Sequence, residues 1–441
     1  MSIADLFPLS TTPFEQYMLA DERAGYTMTF RVCAVLEGRV DPSRFHLAVR
    51  NAVSRQPLLQ AIVQPAGNSD FRWTYAGPDN IGIQWHDEPI GFDTPAPIDL
   101  TGEAGVRFHL CPSSESTQLI MLAHHGCLDA IGAAEFLASI LTSYRQMEPE
   151  PEISLVAEEL VSLLKQRGRL LPKPKTEESQ THITELAREA LRVIATPPLP
   201  LVANEQPPES VTPFGDILTA TFNEQELQKF RRVARNENVT VNDWLMRDLF
   251  CTLQQWNQER HVHKENRLRI TMPVNMRPAH ETSLCANVLS YCFVTRTAEE
   301  CREPSRLLES IHQETTIIKR DQLGTHLLYA LDLVRKITGG MQLVLRNSCI
   351  STTVLSNLGD LSNVCPELEA EADELAVKNF TFIPPVRPGT RAVFAVSTFH
   401  GKLSISITTD PHYFNAAGAQ DLLNCYLATI RESFVQASRT V

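Results

Sequence analysis

Two patterns of apolar and polar residues alternate along the chain and predict a mixture of strands and helices. The segment 118–123 contains five consecutive apolar residues, as is typical of a strand that is buried on both faces of a sheet. Immediately afterwards, over 131–144, the apolar residues recur at helical spacing. The same succession of strand and helix patterns is found in both halves of the chain, which predicts an α/β protein with mixed sheets and flanking helices.

Runs rich in β-branched and aromatic residues predict the remaining strands. They are 26–36, 58–63, 71–75, 104–110, 217–222, 269–273, 288–295, 351–355, and the hairpin 392–399 with 402–408. Capping residues and helical spacing predict the helices. These begin at Pro13 and after Asp41, and cover 183–194, 223–233, 241–256, 305–320, 327–337 and 416–433.

The length of the chain predicts two lobes. It has 441 residues, whereas single hydrophobic cores stop growing at roughly 250–300 residues. Prolines cluster between 172 and 213, where they exclude a central strand or a long helix. We therefore expect an N-terminal lobe at 1–171, a proline-rich linker with one helix at 172–213, and a C-terminal lobe at 214–441.

Charge and cysteine content exclude several classes of function. The formal net charge of −12 and the lack of a long basic run argue against nucleic acid as a partner. The ten cysteines are irregularly spaced, so they predict neither a disulfide framework nor a metal site. The N-terminus does not resemble a secretory signal, and no apolar run approaches the ~18 residues of a transmembrane segment. We expect a cytoplasmic protein.

The candidate chemistry lies where the strand at 118–123 gives way to the helix at 131–144. The sequence there is His124-His125-Gly126-Cys127-Leu128-Asp129. A histidine titrates near neutral pH, so it can take a proton from a nucleophile and return it to a leaving group. Asp129 could orient the histidine, or it could brace the loop through a cation elsewhere. Cys127 is interpreted as a small residue that fills the loop.

This motif resembles the His-His-x-x-x-Asp-Gly motif of one superfamily, which contains chloramphenicol acetyltransferase, the condensation domains of non-ribosomal peptide synthesis and polyketide-associated acyltransferases. Other segments resemble that superfamily in order and spacing, over nearly the whole chain. They are Pro8-Leu9-Ser10 to Glu15, the segment 45–62 with Gln56-Pro57-Leu58-Leu59-Gln60, Val239-Thr240-Val241-Asn242-Asp243, Pro273-Val274-Asn275-Met276-Arg277-Pro278, and Ser356-Asn357-Leu358-Gly359. One departure is Ala130, where the superfamily has glycine; alanine would be strained there if the backbone needs a positive φ.

The resemblance implies two lobes with an active-site tunnel between them. It makes the second histidine of the motif the general base, supported by the first, and it makes Asp129 a structural residue paired with Arg277. Ser356 and Asn357 are candidates for binding the substrate or the oxyanion, or alternatively for capping the end of a strand. These roles come from the resemblance and not from the spacing of the residues.

The implied activity is transfer of an acyl group from a thioester to an alcohol or amine. The donor would be acyl-CoA or, in a stand-alone condensation enzyme of natural-product or lipid biosynthesis, an acyl-phosphopantetheine on a separate carrier protein. Either donor is a co-substrate, so no tightly bound cofactor is expected. A catalytically silent relative that binds a thioester or a protein is the third possibility.

Overall fold

The computed structural model describes residues 2–67, 70–92, 95–147, 149, 158–168, 196–203, 217–260, 267–277, 284–337, 339–346, 349–369 and 374–440. The predicted helix at 183–194 and most of the predicted linker at 172–213 lie outside the described residues. Within the described parts, no helix is long and apolar enough to cross a membrane.

Fourteen strands are described in these ranges. They are β1 (Leu9–Ser10), β2 (Thr29–Glu37), β3 (Ala61–Pro65), β4 (Phe71–Tyr75), β5 (Gly82–Trp85), β6 (Val106–Pro112), β7 (Ser116–His124), β8 (Ile217–Phe222), β9 (Arg267–Asn275), β10 (Leu289–Thr297), β11 (Thr353–Asp360), β12 (Val377–Ile383), β13 (Ala392–Phe399) and β14 (Lys402–Thr409).

The described α-helices surround the strands. They are α1 (Pro13–Asp21), α2 (Pro42–Ser54), α3 (Ala130–Gln146), α4 (Glu158–Gln166), α5 (Glu224–Asn236), α6 (Val241–Glu259), α7 (Pro304–Arg320), α8 (Gly324–Arg335), α9 (Gly340–Arg346), α10 (Leu361–Val364) and α11 (Ala416–Thr440). Short 3-10 helices occur at Ala4–Leu6, Pro57–Gln60, Glu300–Arg302 and Pro366–Leu368.

Local capping chemistry explains where several helices begin. The Thr12 hydroxyl accepts from the Glu15 N–H and the Glu15 carboxylate accepts from the Thr12 N–H, which closes a capping box at the start of α1. A second capping box, at Asn223, starts α5, as the sequence predicts. A third starts α6 with Thr240 as the cap. Each box satisfies N–H groups that a helix end would otherwise leave unpaired.

Two mixed sheets form the centres of two lobes, which confirms the predicted α/β class. The first has the order β12-β2-β7-β6-β5 and the second the order β10-β9-β11-β13-β14-β8, while β1, β4 and β3 form a small third sheet. Helices α2 and α3 pack over the first sheet. Helices α5, α6 and α11 pack over the second. The last six residues of β7 are buried, as their apolar sequence predicts.

One strand of the first sheet comes from the C-terminal half of the chain. Strand β12 pairs antiparallel with β2, with Phe380 opposite Ala34, and so lies at the edge of the N-terminal sheet. The pattern of apolar and polar residues predicts no strand there. A register shift between Val377 and Asn379 breaks the alternation of apolar and polar residues that would have indicated one.

Candidate active site

The motif at 124–129 forms the connection from β7 to α3. The Cys127 N–H donates to the His124 carbonyl at 2.8 Å, which closes a tight turn after the strand. The His125 N–H donates to the Met28 carbonyl at 2.8 Å, so the turn is also tied to the chain just before β2. Asp129 caps α3, because its Oδ1 accepts from the Gly132 N–H at 2.8 Å. The loop is therefore held at both ends by regular structure.

Asp129 braces this loop against the second half of the chain. Its Oδ2 accepts from Arg277 Nη1 at 2.7 Å and from the Val288 N–H at 2.8 Å. Arg277 also donates through Nη2 to the Ala286 carbonyl at 2.9 Å. The pairing of Asp129 with Arg277 that the resemblance implies is thus present. Since the carboxylate already accepts from these donors and from the cap, its geometry favours bracing the loop over orienting the histidine.

His125 is buried, with only 8% of its surface exposed, and its ring lies 4.6 Å from the ring of Phe30. Burial lowers the pKa of His125 to about 4, although the nearby charge of Asp129 acts in the opposite direction. The imidazole is therefore uncharged at neutral pH. Its Nδ1 is enclosed, and a backbone interaction with Leu128 acts on the ring, whereas Nε2 is not enclosed in this way. The nitrogen able to meet a substrate is Nε2.

His124 is held by two hydrogen bonds of its own. Its Nδ1 accepts from the Gly126 N–H at 2.9 Å, so the ring proton must be on Nε2, which lies 3.0 Å from Glu22 Oε2. This histidine is completely buried. Its ring supports the loop, and neither ring nitrogen has a lone pair left to bind a substrate.

His125 lies at a narrow cavity of about 60 Å³ between the two lobes. Both sheets and α1 contribute to a mainly apolar lining. The lining residues are Tyr17, Met18, Asp21, Met28, His125, Ala130, Pro273, Leu289, Tyr291, Val354, Ser356, Phe382, Pro384, Pro385, Arg387 and Val393. The position agrees with the tunnel that the resemblance implies.

The structure separates the two candidates for binding the oxyanion. Ser356 lines the cavity with His125. Asn357 is held by neighbouring groups, because its Nδ2 donates to Asn242 Oδ1 at 3.0 Å and its Oδ1 accepts from the Gly359 N–H at 2.8 Å. Asn357 therefore fits its alternative role at the end of a strand, and Ser356 is the candidate that can reach a substrate.

Ala130 fits its position without backbone strain. It is the first residue of α3, and it does not belong to the described residues with a positive φ. Its methyl group lines the cavity and is almost completely buried. Alanine is therefore compatible with the backbone at this position, and it contributes to the cavity wall.

Comparison with known proteins identifies the family. The sequence profile of the Condensation domain matches residues 16–283, which is more than half of the chain. The chain belongs to the condensation domain family. Uncharacterized protein Rv2305 of Mycobacterium tuberculosis (strain ATCC 25618 / H37Rv) is 23% identical over 380 residues, which cover 80% of this chain and 83% of the relative.

Solved structures of this condensation-domain fold resemble the chain over nearly its whole length. TRI3 trichothecene 15-O-acetyltransferase from Fusarium sporotrichioides has a TM-score of 0.73 at 11% identity, covering 96% of this chain and 94% of that one. The starter condensation domain of rhizomide synthetase, a mutant in complex with C8-CoA and Leu-SNAC, has a TM-score of 0.66 at 12% identity, covering 98% and 94%. At these identities the likeness shows the fold.

Four polar residues in the cavity lining of this condensation-domain chain were not found from the sequence. They are Tyr17, Asp21, Tyr291 and Arg387. The only signal was the charged run that Asp21 begins at the end of α1. The others belong to elements far apart in the chain, and no motif links them. Their proximity is created by the fold.

Two further groups near the loop are uncharged. Burial raises the pKa of Glu135 to about 8, and its carboxyl oxygens are enclosed without partners among the described residues. A protonated Glu135 does not compete with Asp129 for Arg277 at neutral pH. Burial also raises the pKa of the Cys127 thiol, whose Sγ lies 3.8 Å from the Leu58 carbonyl, so this cysteine fits a packing role. Among the described residues, no cluster of three or more His, Cys, Asp or Glu could hold a metal ion.

Proposed function

We propose that this protein is an acyltransferase that moves an acyl group from a thioester to a hydroxyl or amine, with His125 Nε2 as the general base. One observation carries the proposal: a buried, uncharged imidazole presents Nε2 at the cavity between the two lobes. Membership of the condensation domain family agrees with this chemistry. The loop that carries the proposed base is braced by the pairing of Asp129 with Arg277 and by the cap of α3.

The proposed reaction needs one proton carrier. His125 accepts the proton of the acceptor's O–H or N–H while that oxygen or nitrogen attacks the thioester carbonyl carbon. A tetrahedral oxyanion forms, and Ser356 is the candidate donor to it. The C–S bond then breaks, and the protonated imidazole gives its proton to the departing thiolate. The products are an ester or amide and a free thiol.

Acyl-CoA is the proposed donor, and acyl-phosphopantetheine on a carrier protein is the alternative. The rhizomide synthetase domain was solved with C8-CoA and Leu-SNAC, so the same fold accommodates an acyl-CoA and a small thioester in that protein. The apolar lining of the cavity suits an acyl chain here. Both donors use the same base and release a thiol, so one assay can compare them.

The test is thiol release from a panel of acyl-CoAs of increasing chain length, and from acyl-N-acetylcysteamine thioesters, with and without alcohol and amine acceptors. We expect His125→Ala to lower the rate by about 10²–10⁴-fold, the usual contribution of a general base. The matched control is His46→Ala, because His46 is exposed and lies on α2, away from the cavity lining. It should release thiol at the wild-type rate.

The outcomes separate the alternatives. Equal release by wild type and His125→Ala contradicts the role of the base. Release from small thioesters or carrier-bound acyl groups but not from acyl-CoA favours the carrier protein as donor. No release from any thioester, with the protein folded, favours the catalytically silent binder.

A further inference from the structure

We propose that Tyr17 and Tyr291 bind a second, uncharged hydroxyl group of the acceptor, so that the enzyme selects acceptors with a hydroxyl in addition to the attacking nucleophile. The inference deepens the proposed acyl transfer and rests on it. Its basis is a polar patch in a cavity whose lining is otherwise mainly apolar.

The two tyrosines come from different lobes and meet at the cavity. Tyr17 lies on α1 and Tyr291 on β10, with their ring centroids 6.5 Å apart at an interplanar angle of 84°. Phe14 packs edge-on against Tyr291, with the centroids 5.1 Å apart. This aromatic cluster fixes both rings, so their hydroxyl groups have defined positions.

Both hydroxyl groups are available to a ligand. Neither donates or accepts a hydrogen bond with any other described residue, and neither oxygen is completely enclosed. Burial raises the pKa of Tyr17 to about 12 and that of Tyr291 further, so both phenols are protonated at neutral pH. Each can therefore donate one hydrogen bond and accept others. A buried phenol normally has a hydrogen-bond partner, and here the cavity is where that partner would bind.

The surrounding charges favour an uncharged ligand group. Arg387, close to both phenols, donates from Nε to Asp21 Oδ2 at 2.6 Å and from Nη2 to Asp21 Oδ1 at 3.1 Å. The Asp21 carboxylate thereby occupies the N–H edge of the guanidinium that would otherwise bind an anionic ligand. At both phenols the charges of this pair act in opposite directions, since Arg387 lowers the pKa and Asp21 raises it, so the pair largely offsets itself there. A neutral hydroxyl can satisfy the phenols without needing a further counter-charge.

The experiment compares n-alkanols with α,ω-diols of the same carbon number as acceptors, using the thioester that gives His125-dependent thiol release. ω-Hydroxy acids of the same lengths are the third series. We expect kcat/KM of the wild type for the best diol to exceed that of its alkanol by about tenfold, the size expected from one or two neutral hydrogen bonds. A tenfold difference is well above the twofold increase in kcat/KM that a diol would show merely because it carries two equivalent nucleophilic hydroxyl groups. In Tyr17→Phe/Tyr291→Phe the preference should fall to that statistical level.

Phenylalanine keeps the aromatic packing, and the two single variants show whether one hydroxyl dominates. Circular dichroism and thermal melting confirm that each variant is folded. The matched control is Tyr75→Phe, since Tyr75 is exposed on β4 and does not line the cavity. It should retain the wild-type preference for diols.

Three results would overturn the inference alone: equal use of diols and alkanols by the wild type, preference for hydroxy acids over diols, or an equal loss for both alcohol series in the double variant. The last would mean that the tyrosines hold the thioester. Absence of His125-dependent thiol release from every thioester would instead remove the proposed function, and this inference with it.

Discussion

At the scale of single residues, the environment of His125 sets the pH range that we expect for the proposed activity. Burial lowers the pKa of His125 to about 4, so the basic form persists at pH values where an ordinary histidine would be protonated. The acid limb of kcat/KM should have its midpoint at about pH 4–5, well below the ~6.5 of an unperturbed imidazole. Thiol release measured across this range checks the prediction, with circular dichroism at each pH to show that the protein is folded. A midpoint near ~6.5 would contradict burial as the dominant effect.

Arg277 is the second residue whose replacement should be informative. Its guanidinium donates to both Asp129 and the Ala286 carbonyl, and an ammonium group cannot reproduce this planar arrangement. Arg277→Lys should lower kcat for thiol release about tenfold or more, because small displacements of a base are costly. Arg277→Ala should also lower the free energy of unfolding by about 3–5 kcal/mol, since it leaves Asp129 buried and unpaired. Denaturant titration measures this loss.

A matched control for Arg277 is Arg320→Ala, because Arg320 forms an exposed ion pair with Asp321 on the surface. Exposed ion pairs are screened by water and contribute little to stability, so this variant should melt and react like the wild type. Similar losses in both variants would indicate a general charge effect, and they would contradict a specific role for the Asp129–Arg277 pair.

The sequence indicated the loop residues and Ser356 but not the other polar residues of the cavity wall, for a physical reason. His125 and Asp129 lie within one connection, and the resemblance supplied Arg277 as their partner. Ser356 and Asn357 are adjacent in sequence, but strand alternation turns them to different surroundings. Tyr17 lies on α1, far along the chain from Tyr291 on β10 and from Arg387 after β12. Only the folding of the two lobes around the cavity brings these residues together.

At the scale of elements, the sequence was most informative where local chemistry decides the structure. Capping residues predicted the start of α1 and α5, and apolar runs predicted most strands of both sheets. Strand β12 was not predicted, because a register shift disrupts its alternation of apolar and polar residues and because its partner β2 is distant in the sequence. The intrinsic propensities and the spacing of residues predict the conformation of one segment, whereas the strand with which an edge strand pairs depends on the fold of the whole chain.

Strand β12 should contribute strongly to stability. Phe380 is completely buried, and its ring centroid lies 5.9 Å from that of Phe399, the last residue of β13 in the second sheet. Phe380→Ala should lower the free energy of unfolding by about 3–5 kcal/mol, as for other large-to-small substitutions in a core. Lys378→Ala is the control on the same strand, since its ion pair with Glu37 is exposed. Equal, small losses in chemical denaturation would show that the crossing strand is dispensable.

At the scale of the whole molecule, the site belongs to neither half alone. The N-terminal half supplies His125 and Asp129, and the C-terminal half supplies Arg277 together with most of the cavity wall. The candidate site of this condensation-domain chain is thus shared between the two lobes. We propose that the predicted division at 1–171 and 214–441 marks lobes that are structurally interdependent, since β12 crosses it.

Separate expression of the two halves tests this interdependence. Residues 1–203 alone lack Arg277, which leaves the buried Asp129 unpaired, and they lack β12, which leaves the edge of β2 open. The loss of the ion pair alone, about 3–5 kcal/mol, is comparable with much of the ~5–15 kcal/mol that keeps a domain folded. We therefore expect residues 1–203 to show no cooperative thermal transition and no thiol release, and co-expression with residues 217–441 to restore both. A cooperative melt and His125-dependent release by residues 1–203 alone would mean that the second lobe only shapes the substrate cavity, and that the base is positioned by the first lobe without it.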